Sequence, residues 1–298
     1  MTTVGIVTPS CQPEPARLQV GIGVLEELGF RVLLGECAFE ERPHTPEEDA
    51  RRGREFQEML LNPAVDAVLC ARGGYGVARL LDFVDWDRLA HVEKPFCGYS
   101  DITTLHGILA RRAPGILRAY GPMAADRMME RRSPRIRQLA RFLRREPMGN
   151  LLEGLAGEIR VMREGSAEGP ITGGCLCLVI ATLGTPYEID TRGKILILED
   201  INEESRRIDR YMNQLKHAGK LEGVAGVICG RTFCLPDEQE PMGSQDEILW
   251  RYLEPMGIPV VYDAPIGHVP ELLTVPLDVP AALDTAASGG PSLVVDDA

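Results

Sequence analysis

Between residues 4 and 145, short apolar runs alternate with helix-patterned segments. The runs fall at 4–7, 30–34, 65–70, 95–97 and 116–120, and helical patterns occupy 18–28, 46–61, 77–81 and 102–112. A basic helical stretch at 134–145 closes the series. Few folds satisfy this alternation. Parallel strands need a long crossover, a helix supplies it, and the crossover is right-handed. The expected fold class is therefore α/β with a mostly parallel sheet. Ligands of such sheets gather beyond the carboxyl ends of the strands. Three turns fall on that edge: Pro9-Ser10, the turn from Arg72 to Gly76, and Ser100.

The segment Cys97-Gly98-Tyr99-Ser100-Asp101-Ile102-Thr103 joins an apolar run to a helix pattern carried by Ile102, Leu105, Ile108 and Leu109. A serine on a sharp strand-to-helix turn projects its hydroxyl away from the sheet, which is the logic of a nucleophile elbow. The Gly-x-Ser-x-Gly form is not met, because Ile102 stands at the second Gly position. The backbone N–H of Asp101 falls at a helix start, where it can face an oxyanion. The competing reading is an N-cap, a role that suits both Ser100 and Asp101. The turn Arg72-Gly73-Gly74-Tyr75-Gly76 lets backbone approach a ligand closely. It reads as a second oxyanion donor through Gly73 or Gly74, as a phosphate cradle, or as a tight connection. It matches neither G-x-G-x-x-G nor a P-loop.

The second half has a different pattern. Residues 147–169 are rich in Gly and Glu and weakly patterned. The expected division is a domain at 1–147, a linker at 148–169 and a second domain at 170–298. Ile171 to Gly174 opens a helix-like stretch at 175–183. A strand at 194–198 ends in Glu199-Asp200, and a helix follows at 203–217. Further strands are expected at 224–229 and 259–262, with a helix at 245–253 between them. Gly267-His268 lies in the loop after the last of these, and β-like runs at 274–277 and 292–295 close the chain.

Composition narrows the function classes. The 298 residues carry a formal charge of −12, which repels nucleic acid and anionic membranes. The N-terminus has no basic leader and no long apolar run, so neither a signal peptide nor a membrane span is expected. Eight cysteines form no C-x-x-C, and Cys70, Cys97 and Cys229 end apolar runs like small buried hydrophobes. This usage fits a reduced cytoplasm. No spacing fits zinc, so neither a metal nor a cofactor is expected.

A nucleophilic serine needs a base, and the base an orienting acid. Of five histidines, His44 and His91 sit in polar stretches, and His106 lies past the first turn of the helix leaving Ser100. His217 is near a helix C-terminus, where a cation suits the helix dipole. His268, in a loop after an apolar strand and a Gly, has the setting of a catalytic base, and an ordinary loop histidine is the alternative. Glu199 ends a rigid strand and fits the acid. Its neighbour Asp200 is the rival, and either residue also suits the start of the next helix.

These pieces together resemble the serine LD-carboxypeptidase family, which includes the microcin-immunity peptidases. The likeness runs from Gly5-Ile6-Val7-Thr8-Pro9-Ser10 through Arg72–Gly76, Gly98–Thr103, Gly121-Pro122-Met123, Gly173-Gly174, Gly184-Thr185-Pro186, Leu198-Glu199-Asp200 and Arg207-Ile208-Asp209-Arg210 to Gly267-His268. The resemblance implies a flavodoxin-like N-terminal domain, a β-rich α/β C-terminal domain, and a homodimer. It implies a triad of Ser100, Glu199 and His268, with an oxyanion hole from the N–H of Asp101 and a backbone N–H of the Gly73-Gly74 turn. The implied substrate is a small peptide, a cytoplasmic murein tetrapeptide that loses its terminal D-alanine. The alternatives are an immunity-type peptidase acting on peptidyl or aminoacyl adenylates, and a non-catalytic binding module. A carboxypeptidase must hold a carboxylate, which an Arg fork does best. Arg72, with Tyr75 beside it, is the first choice, and Arg207, Arg210 and Arg231 are the others. Two positions depart from the family pattern near the expected substrate: Tyr120 replaces a frequent His, and Ser205-Arg206 leaves no Tyr before Ile-Asp-Arg.

Overall fold

A computed structural model describes residues 1–39, 44–231 and 243–296, with 233–235 described in backbone alone. The side chain of Cys234 lies outside the described residues. The chain forms two compact units, one of Met1–Pro147 with Pro270–Pro276, the other of Met148–Val269 with Leu277–Asp297.

The first unit is built on strands β1 (Thr3–Val7), β2 (Arg31–Leu34), β3 (Ala67–Cys70), β4 (Pro95–Gly98) and β5 (Leu117–Tyr120). They are parallel and lie in the order β2-β1-β3-β4-β5. That is the flavodoxin-like order, with its switch point between β1 and β3. A late strand, Val275–Leu277, adds beside β5. Strands β3 and β4 are buried along their whole length, as a parallel sheet covered on both faces requires. The helix Pro46–Leu61 starts where Pro46 takes the first position, Thr45 accepts from Glu48 N–H and three acidic residues fill the first turn.

In the second unit, the strands in chain order are β6 (Gly149–Asn150), β7 (Arg160–Arg163), β8 (Ser166–Cys175), β9 (Ile195–Glu199), β10 (Ile201–Glu204), β11 (Gly226–Gly230), β12 (Phe233–Leu235) and β13 (Val260–Ala264). Numbering the late strand of the first sheet β14, two more follow, β15 (Pro280–Asp284) and β16 (Ser292–Val295). An eight-stranded sheet runs β6-β16-β15-β8-β9-β11-β13-β7. Its centre, β8-β9-β11-β13, is parallel, and its flanks are antiparallel. Strand β8 divides its pairing: residues 166–170 run antiparallel to β15, and residues 171–175 run parallel to β9.

The helix expected at 175–183 is Leu176–Thr182, and the residues that lead into it, Ile171–Gly174, are strand. Gly173 is needed there because a Cβ would overlap the carbonyl of Ile197 on the adjacent strand. The core packs Leu196, Leu198, Val227 and Val260 of the sheet against Ile208, Met212 and Leu215 of the helix Ser205–His217. Ser244 and Glu247 form a capping box that starts the helix Gln245–Leu253.

Candidate functional site

Two groups of predicted residues assemble, one in each unit. In the first unit, β4 ends at Gly98 and the chain turns into a short 3₁₀ segment, Ser100–Ile102, before the helix Thr103–Arg112. Ser100 has φ of 64°. A non-glycine residue held in this left-handed region costs of order 1–3 kcal/mol, and such strain concentrates at functional turns. The turn is pinned from several sides. Tyr120 Oη accepts from Ser100 N–H at 3.1 Å, and Thr103 Oγ1 donates to the Ser100 carbonyl at 2.7 Å. The Asp101 carboxylate accepts from Ser10 Oγ at 2.6 Å and from Val77 N–H at 3.0 Å. One buried carboxylate thus ties together the turns that follow β1, β3 and β4. Burial pushes the Asp101 carboxyl above its ordinary range, against the pull of those two hydrogen bonds.

The two glycines of the Arg72–Gly76 turn differ in what they face. A Cβ on Gly73 would meet Ser100 Cβ at 3.1 Å and Ser100 Oγ at 3.4 Å. A Cβ on Gly74, whose φ is +121°, would run into Cys11. Gly73 is therefore the glycine whose backbone lies against the Ser100 side chain. Cys11 Sγ accepts from Tyr75 N–H at 3.3 Å and holds the turn to the loop after β1. Arg72 is exposed and donates to the Gln12 carbonyl at 3.1 Å, while Tyr75 is exposed and edge-on to His44.

In the second unit, Glu199 ends β9 and His268 follows the last parallel strand, β13, so both sit beyond the carboxyl ends of the parallel strands. Glu199 Oε2 accepts from His268 Nδ1 at 2.8 Å and from His268 N–H at 3.3 Å. The Glu199 side chain is fully buried, and that of His268 is 16% exposed. A carboxylate on Nδ1 fixes the tautomer and leaves the Nε2 lone pair of the neutral ring as the proton acceptor. Gly267, with φ of +84°, admits this pair, since a Cβ there would overlap the Glu199 carboxyl.

Between the two rival acids, the imidazole selects Glu199. Asp200 instead accepts from the N–H groups of Cys177 at 2.8 Å and Ile201 at 2.9 Å. Burial lifts its carboxyl to about 6, and the neighbouring charges of Glu199 and Glu203 add to the rise.

Other candidates have structural posts. His106 is buried, and its Nε2 donates to the Gly98 carbonyl at 2.9 Å. Trp86 is buried with Nε1 donating to Leu81, and Trp250 packs beside Arg163. Arg207 is paired with Glu203, and Arg210 and Arg231 are exposed. Tyr120 is fully buried under the elbow, so it supports Ser100 rather than lining a substrate surface. The sequence puts Ser10 on the ligand edge and Tyr120 near substrate, but it does not foretell their hydrogen bonds to Asp101 and to Ser100 N–H. Their position at the carboxyl ends of β1 and β5 is consistent with these supporting contacts.

Comparison with known proteins agrees with this architecture. Residues 4–121 match the LD-carboxypeptidase N-terminal domain, and residues 168–283 match the LD-carboxypeptidase C-terminal domain. The chain belongs to the LD-carboxypeptidase family. A probable murein peptide carboxypeptidase of Bacillus subtilis (strain 168) is 37% identical over 286 residues, covering 95% of this chain and 89% of the relative. The crystal structure of muramoyltetrapeptide carboxypeptidase from Oxalobacter formigenes superposes with a TM-score of 0.82 at 26% identity, covering 99% of both chains. The microcin C7 self-immunity protein MccF of Escherichia coli is 25% identical, covering 89% of this chain and 84% of the relative. Among the described residues no helix is long and apolar enough to cross a membrane.

Proposed function

We propose that this chain is a serine hydrolase that cleaves an L,D-amide bond and releases the terminal D-alanine of a murein tetrapeptide. The observation that carries the reading is the Glu199–His268 pair at 2.8 Å, matched in the same chain by a serine on a strained strand-to-helix turn. The family membership and the murein-peptide names of its relatives support the substrate class.

In this reading His268 Nε2 takes the proton of Ser100 as Oγ attacks the scissile carbonyl. Glu199 holds the imidazole in the needed tautomer and stabilises the imidazolium. The N–H of Asp101 and a backbone N–H of the Gly73-Gly74 turn hold the oxyanion, and the packing of Gly73 against Ser100 favours Gly73. His268 then gives its proton to the leaving amine of D-alanine, and water repeats the sequence on the acyl-enzyme. Arg72 and Tyr75 are the proposed contacts to the substrate, Arg72 for its terminal carboxylate. An adenylate-cleaving reading needs an aromatic platform for the base, and both tryptophans are committed elsewhere.

The test is D-alanine release from murein tetrapeptide by the wild type and by Ser100→Ala. Release by the wild type alone supports both the reaction and the nucleophile. Release by both would discard Ser100, and release by neither would discard the substrate.

A further inference from the structure

Strand pairing brings three metal-ligating side chains together that the sequence keeps apart. β8 and β9 run parallel with Cys175 opposite Glu199, so Asp200 falls beside the N-terminal turn of the helix Leu176–Thr182, which carries Cys177. Cys175 Sγ lies 3.5 Å from Cys177 Sγ and 3.6 Å from Asp200 Oδ1, and the three donor atoms all lie within 4.8 Å of one another. The spacing expectation of no zinc site rested on C-x-x-C patterns. It could not register a Cys-x-Cys pair completed by a residue one strand away.

We propose that Cys175, Cys177 and Asp200 form a binding site for a thiophilic d¹⁰ cation of the zinc class. The distances suit such an ion. A tetrahedral centre with metal–sulfur bonds of about 2.3 Å has sulfur–sulfur edges of roughly 3.7–3.8 Å, so the thiols need to move only by tenths of an ångström. Asp200 is already oriented: backbone N–H groups of Ile201 and Cys177 hold its two oxygens, as outer hydrogen bonds do for metal-ligating carboxylates.

Cys175 and Asp200 are each 2% exposed, while Cys177 is half-buried and gives access from solvent. Two sulfurs and one oxygen favour zinc over the hard oxygen-seeking ions magnesium and calcium. The hydrogen bond with Cys177, and then burial, push the Cys175 thiol toward its neutral form, as burial does the Asp200 carboxyl, and a cation reverses that preference. Binding exchanges two thiol protons for the metal: M²⁺ and two R–SH give M(SR)₂ and two H⁺, with Asp200 as the third ligand and water as the fourth.

The test uses no substrate, so its outcome does not depend on the proposed hydrolytic reading. The reduced full-length chain, freed of metal by chelation, is titrated with cobalt(II) as a spectroscopic stand-in for zinc. The expected result is an intense thiolate-to-cobalt charge-transfer band that saturates at one equivalent. Zinc should bleach it, and it should be lost in folded Cys177→Ser. No such band from the folded reduced chain overturns the proposal, and so does a band that survives Cys177→Ser. Should that variant not fold, alkylation of the wild type decides. Zinc should slow modification of Cys177 and leave Cys11 unchanged, and unaltered modification of Cys177 overturns the site.

Discussion

The carboxylate of Glu199 accepts two hydrogen bonds from one residue, His268, through its ring Nδ1 and its backbone N–H. The position of the ring is thereby set by the strand that ends in Glu199, and Gly267 lets the loop close onto it. Glu199→Gln keeps the volume and replaces one carboxylate oxygen with an amide. It should lower kcat by on the order of 10⁴-fold with the fold retained by circular dichroism, because the imidazole loses its tautomer and its counter-charge. Gly267→Ala should lower both kcat and Tm, since the added methyl displaces the carboxylate and φ of +84° is strained for alanine. Wild-type kcat in either variant would remove Glu199 from the mechanism.

The left-handed backbone of Ser100 separates stability from chemistry. Ser100→Gly and Ser100→Ala both remove the hydroxyl and should both be inactive. Alanine keeps the steric penalty of about 1–2 kcal/mol, whereas glycine sheds it and gives back part in unfolded-chain entropy. Ser100→Gly should therefore unfold at a higher denaturant midpoint than Ser100→Ala. The reverse order would mean the turn is not strained.

Tyr120→Phe tests whether the buried hydroxyl supports the elbow. It removes the acceptor of Ser100 N–H and should cost about 0.5–1.5 kcal/mol in chemical denaturation. Turnover should fall with KM little changed, because the nucleophile is displaced and no substrate contact is lost. A raised KM at unchanged kcat would instead place Tyr120 against substrate.

Asp200 gives a pH dependence of defined sign. Its carboxyl titrates near 6 in the folded chain, above the unfolded value. The folded state then binds more protons than the unfolded one between these values, and stability falls as pH rises through that window. Asp200→Asn has no such group. In metal-free buffer its stability relative to the wild type should rise from pH 4 to pH 7, and a flat difference would contradict the assignment.

The first unit was legible because most strands of its sheet are short, largely apolar runs followed by turn residues. The run ending at Val7 and that ending at Cys70 needed nothing but hydrophobic burial to pair. The second unit hid two of its inner strands. Strand Ser166–Cys175 reads Ser-Ala-Glu-Gly-Pro-Ile-Thr-Gly-Gly-Cys, a turn-like composition, and it is extended because Gly173 must pass the Ile197 carbonyl and residues 166–170 pair with β15. Residues 280–284, with their proline and alanines, gave no strand signal for the same reason: pairing with β8 and β16 holds them. At the site, Glu199 was legible as the end of an apolar strand. The choice over Asp200 came from the family resemblance alone, because it depends on which of two adjacent carboxylates the loop at Gly267 approaches. Tyr120 was read beside substrate, and the structure shows it beneath Ser100, a distinction that depends on side-chain direction alone.

The most direct test of the triad is a double-mutant cycle on kcat for D-alanine release with Ser100→Ala, His268→Ala and the two combined. Residues that act as one unit lose almost everything at the first substitution. Each single variant should lose on the order of 10⁴–10⁶-fold and the double variant no more than either. Losses that multiply, or wild-type turnover in Ser100→Ala, would show that the two residues do not serve one reaction together.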